Sequence, residues 1–223
     1  MNTLKTKFRA DEKMNFEFIN DLDEYFCEKY ANYDKICILP GYRMPKMQAT
    51  ERRADGRDYA YTLPASTMRL ALQENKAELL KLLKSKMADK SFSFSFVPAG
   101  FTVSLMRFSD ASFSKVFAKM LQKYSLTAEE AKKELAIDEK TWKKICKGSY
   151  LPSKNLLFSV ALTARFSYED TQVLLGMLGM EFDYTLEREV VIAYLLKQKV
   201  FNQEMVKAAF EEYKVSNLFI EWL

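Results

Sequence analysis

The sequence predicts a mainly α protein, with a small N-terminal α+β unit followed by an all-α domain. Three observations carry this fold class. Gly and Pro are scarce, 6 and 5 in 223 residues, which leaves room for few long loops. Apolar residues recur at three- and four-residue intervals through most of the chain, whereas strict alternation is confined to the first hundred residues. Hydrophobic residues make up 48% of the chain and aromatics 14%, enough to bury a core and too many for global disorder.

In the N-terminal unit, residues 1–100, the stretch 15–30 places Phe18, Ile19, Leu22, Tyr25, Phe26 and Tyr30 at helical spacing, an amphipathic helix. Residues 36–64 show no helical period. Pro40, Gly41, Pro45 and Asp55-Gly56 punctuate them, and Tyr59 and Tyr61 alternate with polar neighbours, so two short strands are expected around a charged loop at Glu51 to Arg57. A long helix capped near Ser66 should follow, with Leu70, Leu79, Leu80, Leu82, Leu83 and Met87 inward and Lys76, Lys81, Lys84 and Lys86 outward. The strict alternation from Ser91 to Val97 puts Phe92, Phe94 and Phe96 on one face of a strand, which Pro98 and Gly100 end.

From Phe101 no strand is expected, and about seven helices are. The first, Phe113 to Tyr124, turns Phe113, Val116, Phe117, Met120 and Leu121 inward. Thr127 with Glu130 is a capping box, and Asp138 is a second N-cap after the apolar pair Ala136-Ile137. Ser153 caps a helix bearing Leu156, Leu157, Val160 and Ala161. Ser167 with Asp170 caps another, which Gly179 closes as a natural C′ residue. Thr185 precedes a helix with Val190, Val191, Tyr194 and Leu195, and Asn202 starts the last, with Val206, Ala209, Phe210 and Tyr213.

Residues 112–180 resemble the lambda-repressor-like (XRE-type) helix-turn-helix family, in its degenerate bacterial subset with a helical C-terminal extension. The elements that carry the resemblance are SFSKVFAKMLQKYSLT as first helix and lead-in, AEEAKKELAI as scaffold helix and DEKTWKKICKG at the recognition-helix position. LPSKNLLFSVALT and FSYEDTQVLL match the fourth and fifth helices. Where the family carries a small Ala in the scaffold helix, Lys132 stands here, and Ala136 stands in place of the turn Gly. Trp142 replaces a smaller aliphatic residue, while Ala131 is smaller than the usual Leu, an exchange that can conserve core volume. The resemblance implies a helix-turn-helix domain at 101–180 with a helical extension, 181–223, packed on it. It also implies a DNA-binding regulator of bacterial or phage type, binding double-stranded DNA as a homodimer.

On the helix that follows Asp138, Trp142, Ile145 and Cys146 fall on one side, and Lys140, Lys143, Lys144 and Lys147 on the other at i, i+3, i+4, i+7. Lysine is a flexible point charge suited to phosphate, so this stripe is either a nucleic-acid-gripping face or an ordinary solvated one. Base reading usually draws on Arg, Asn or Gln, and the stripe has none. Ser149, Tyr150, Lys154 and Asn155, in the following loop and helix start, complete the candidate interface. A secondary basic loop, Arg43, Lys46, Arg52, Arg53 and Arg57, is interrupted by Glu51, Asp55 and Asp58. It either grips a groove or an acidic partner, or is a self-neutralising turn.

Other chemistries find little support. The absence of histidine removes the commonest general base and most zinc sites, and no Gly-rich phosphate loop or carboxylate pair offers catalysis, so no enzyme, cofactor or metal is expected. Cys27, Cys37 and Cys146 have no C-x-x-C spacing and read as free thiols of a reducing compartment. With no membrane-length apolar run, a cytoplasmic protein without a membrane partner is expected. The alternative to a DNA regulator is a protein-interaction adaptor or inhibitor, in a defence or mobile-element system, built on the same scaffold. The net charge of only +4 is compatible with both.

Overall fold

The computed structural model describes residues 17–44, 46–64, 70–88, 96–98, 112–215 and 218. They form a mainly helical protein with two small two-stranded antiparallel sheets. They group into two compact units. One is drawn from Met1–Ala88 with Tyr184–Val190, the other from Asp89–Asp183 with Val191–Leu223. The short segment 184–190, which the family resemblance places in a C-terminal extension, groups with the first unit. No helix among the described residues is long and apolar enough to cross a membrane.

In the first unit, α1 (residues 17–29) buries Phe18, Leu22, Phe26 and Cys27, with Tyr30 just beyond its end stacked on Phe26. Helix α2 (Tyr33–Ile36) is capped by Asn32, whose side chain accepts from the Lys35 N–H. The expected hairpin is present as β1 (Lys46–Arg52) and β2 (Asp58–Pro64), paired from Lys46↔Pro64 to Arg52↔Asp58. Its turn is closed by Arg53 N–H to Arg57 C=O at 2.9 Å, with Gly56 at φ 80°, where a Cβ would be strained.

The long helix expected from Ser66 is shorter. Ser66 lies outside the described residues, Leu70–Leu72 is a 3₁₀ turn, and α3 runs from Lys76 to Lys86. The break follows from a tertiary bond set. The Gln73 side chain, buried between the two pieces, donates to the Arg43 carbonyl at 2.7 Å and accepts from the Arg43 N–H at 2.9 Å. Leu79, Leu80 and Leu83 face the core as expected. Lys76 and Lys84 are not simply solvated, since they pair with Glu24 and Asp23 of α1.

The second unit holds α4 (Phe113–Lys123), α5 (Ala128–Glu134), α6 (Glu139–Cys146), α7 (Lys154–Thr163), α8 (Tyr168–Met177) and α10 (Gln203–Glu212). Helix α9 (Glu187–Lys197) falls in it from Val191 onward. Strand β3 (Phe96–Pro98) pairs antiparallel with β4 (Tyr150–Pro152) in this unit. Phe92 and Phe94 lie outside the described residues. Strand β4 corrects the expectation of no strand after residue 100, because three residues are too few to show a period and pair only through a distant segment.

Three links in this unit share one local design. Each has a residue in the left-handed region (Ser125, Ala136 and Arg165, φ 57°, 49° and 59°), then an apolar residue, then an N-cap. The caps Thr127, Asp138 and Ser167 accept from Glu130, Thr141 and Asp170 N–H groups. At Ser125 and Arg165 the apolar residue also closes the preceding helix, Leu126 N–H to Leu121 C=O and Phe166 N–H to Ala161 C=O, a Schellman arrangement. One residue therefore serves the end of one helix and the entry of the next, as buried Phe166 does here; Ile137, also buried, occupies the equivalent position before the Asp138 cap.

Candidate nucleic-acid interface

Helix α6 is fixed at both ends and along its back. The Asp138 carboxylate accepts the Thr141 N–H at 2.9 Å, and hydrogen bonds from Thr141 hold that carboxyl below its ordinary pKa. At the other end Gly148 takes φ 70° as C′ residue, and Ser149 N–H reaches back to the Lys144 carbonyl. Trp142 and Ile145 are buried, and the indole meets the Phe117 ring of α4 edge-on at 6.0 Å between centroids. Ala131 of α5 is fully buried, so the large Trp142 and the small Ala131 both occupy core positions. Cys146 is half-buried, and its thiol is pushed up to about 11 by burial, which leaves it protonated and unreactive at neutral pH.

The lysine stripe divides into two kinds of residue. Lys140, Lys143 and Lys147 are exposed, while Lys144 is half-buried. The Lys144 ammonium donates to the Tyr150 hydroxyl at 3.0 Å and stands 4.5 Å from that ring's centroid. Lys143 pairs with Glu139 one turn back at 2.5 Å, and that bond holds the Glu139 carboxyl below its ordinary pKa. Residues 128–147 carry six lysines and five carboxylates, so the α5–α6 surface is almost neutral overall.

Of the neighbouring candidates, Ser149 and Tyr150 are half-buried in the turn and β4. Lys154 lies 6.0 Å from the Phe158 centroid on its own helix, and Asn155 uses its backbone carbonyl to accept from the Ser159 hydroxyl. The secondary basic residues Arg43, Lys46, Arg52, Arg53 and Arg57 are all exposed in the first unit. Arg53 places its guanidinium 4.1 Å from the Tyr59 ring centroid, a contact that spacing alone does not reveal.

A polar cavity of about 290 Å³ also lies in the second unit, walled by the C-terminal ends of α4 and α7 together with Glu130, Glu134 and Gln203. Its walls come from several segments that share no motif, so no local sequence signal marks it. No protein-family model, curated protein or solved structure matches this chain.

Proposed function

We propose that this chain is a nucleic-acid-binding regulator in which α5, the Ala136–Asp138 link and α6 act as a helix-turn-helix of the lambda-repressor-like type. The observation that supports this best is the division of α6 itself. Trp142 and Ile145 hold its back in the core, and Lys140, Lys143 and Lys147 stand exposed on the front. Such a face grips phosphates and sets register; it does not read bases. Binding is therefore expected to be salt-dependent and weakly selective when α6 acts alone.

The test is fluorescence anisotropy of the intact chain with a random duplex pool at low salt. Substituting Lys140, Lys143 and Lys147 together by Ala should weaken binding. It should also flatten the slope of log affinity against log salt by about 2 to 3, one phosphate contact per lysine. Absence of binding by the parent chain at low salt ends this reading.

A second reading, a protein-interaction adaptor or inhibitor on the same scaffold, is favoured by the Lys143–Glu139 pair, the Lys144–Tyr150 contact and the near-neutral α5–α6 surface. Its signature is a partner retained through nuclease treatment and released by charge reversal at Lys140 and Lys147. Retention that nuclease abolishes excludes it.

A further inference from the structure

The β1–β2 hairpin has a character that α6 lacks. Of its residues from Lys46 to Tyr61 whose side chains are described, only Ala49 and Tyr61 are even half-buried, and the rest are exposed. A two-stranded ribbon alone in water is marginally stable, and a free one presents open edges on both sides. Arg53 N–H and Arg57 C=O bond across the turn, the Asp55 carboxylate accepts the Arg57 N–H at 2.9 Å, and Gly56 sits at φ 80°, so the tip is well defined. The Arg53 guanidinium is stacked on Tyr59, which lies 6.3 Å from Tyr61 and nearly parallel to it. Arg52, Arg53 and Arg57 form no ion pair among the described residues, although Glu51, Asp55 and Asp58 lie within the same hairpin. Thus the guanidiniums at the tip keep their charge available, and one of them is held in place by an aromatic ring.

We infer that the β1–β2 ribbon is a second nucleic-acid contact, entering the major groove of a duplex with Arg52, Arg53 and Arg57 leading. Strands of seven residues span about 23 Å, and the major groove, about 12 Å wide, admits a two-stranded ribbon. Residues 51–58 are neutral in sum, three arginines against three carboxylates, so the complementarity rests on presentation rather than net charge. The exposed guanidiniums at the tip meet phosphates and guanine edges, and Lys46 with Arg43 lies toward the base of the ribbon to follow the backbone. Arginine makes two parallel hydrogen bonds to guanine O6 and N7, which the lysines of α6 cannot do. Base selectivity therefore resides in the ribbon. This inference is independent of the role proposed for α6.

The test uses the intact chain at low salt, with a random duplex pool and a random single-strand pool of the same length as probes. Replacing Arg53 and Arg57 by Ala is expected to weaken duplex binding about tenfold or more, the size of one lost bidentate base contact or several phosphate contacts. Glu51→Lys should move it the other way, tightening binding, which a purely structural role of the hairpin does not predict. Both variants should keep the parent's circular dichroism and melting temperature. If the Arg variant binds duplex within about twofold of the parent, or Glu51→Lys fails to tighten binding, the inference is overturned. A preference for the single-strand pool, which would make the Tyr59–Tyr61 pair a stacking platform, overturns it as well. A chain that loses binding only with the α6 lysine variant keeps the α6 reading and rejects the ribbon. The reverse pattern keeps the ribbon and rejects α6.

Discussion

The Lys144 ammonium is bonded to the Tyr150 hydroxyl at 3.0 Å and rests over the same ring, so one of the four lysines at helical spacing on α6 is part of the packing. This link ties the last turn of α6 to β4. Lys144→Ala should therefore destabilise the fold by about 1 kcal/mol, the scale of a partly buried cation–aromatic contact with a charged hydrogen bond. Lys140→Ala should be close to neutral, because it leaves an exposed position with no such contact. Chemical denaturation of the two variants tests this; equal midpoints would show that the Tyr150 contact carries no stability.

The helix ends offer a second prediction. Lys199 and Lys214 occupy the left-handed region at φ 54° and 51°, and each is followed by a valine whose N–H closes the preceding helix. A Cβ in that region costs about 1 kcal/mol or more, which glycine avoids. Part of the gain is offset by the freer unfolded chain. Lys199→Gly with Lys214→Gly should raise the melting temperature, and a drop would contradict the strain argument.

The two C′ glycines of the second unit should differ in the opposite experiment. A Cβ at Gly179 meets nothing within 4 Å, so Gly179→Ala incurs only backbone strain. At Gly148 it meets the Ser114 Cβ at 3.0 Å, so Gly148→Ala adds a clash between α4 and the end of α6. Gly148→Ala should be the more destabilising of the pair by about 1 kcal/mol. Thermal melts that rank them the other way would show that the two helix ends yield more readily than this contact implies.

Two partly buried carboxylates, one in each unit, contribute stability that acid removes. For Glu187, burial works to raise the pKa. Hydrogen bonds from Lys35 and Tyr30 outweigh it and leave the carboxyl below its ordinary value. For Asp170, burial again opposes, and bonds from Lys123 at 2.6 Å and Tyr124 at 2.5 Å prevail. A folded pKa below the unfolded one means that the stabilisation is complete above the unfolded values, 4.5 and 3.8. It is lost as pH falls from there through the folded values. Glu187→Gln and Asp170→Asn should each lower stability at neutral pH and flatten the loss of stability below about pH 4.5. An unchanged acid slope in both variants would place the acid-sensitive groups elsewhere.

Trp142 offers a check on the core under α6. Its indole packs edge-on against Phe117, both buried, and together they join α6 to α4. Trp142→Ala should cost about 3 to 5 kcal/mol, a large fraction of the stability of a domain this size. A loss below about 1 kcal/mol would mean that α6 is held by its caps rather than by its apolar back.

Much of the helical organisation is legible in the chain because its signals are local. Thr127 with Glu130, Asp138, Ser153, Ser167 and Asn202 each act on a backbone N–H two or three residues away, and every one of these caps is present. The hairpin is legible for the same reason, since Asp55-Gly56 needs only its own turn. What escapes the chain depends on distant partners. Gln73 breaks the helix expected from Ser66 by bonding to Arg43, thirty residues away. Strand β4 exists only where Phe96–Pro98 lies beside it.

The same division governs the candidate interface. Spacing alone put Lys140, Lys143, Lys144 and Lys147 on one helical face with Trp142 and Ile145 behind, because 3.6 residues per turn is a property of the backbone. Tertiary structure decided which of those charges are free: Lys144 is taken by Tyr150, whereas Lys140 and Lys147 remain exposed. It also decided that Arg53 stacks on Tyr59 at the tip of an exposed ribbon. The number and order of the charges are covalent facts of the chain. Whether a charge faces solvent or a partner depends on which distant segment folds against it, and that is settled only when the core closes.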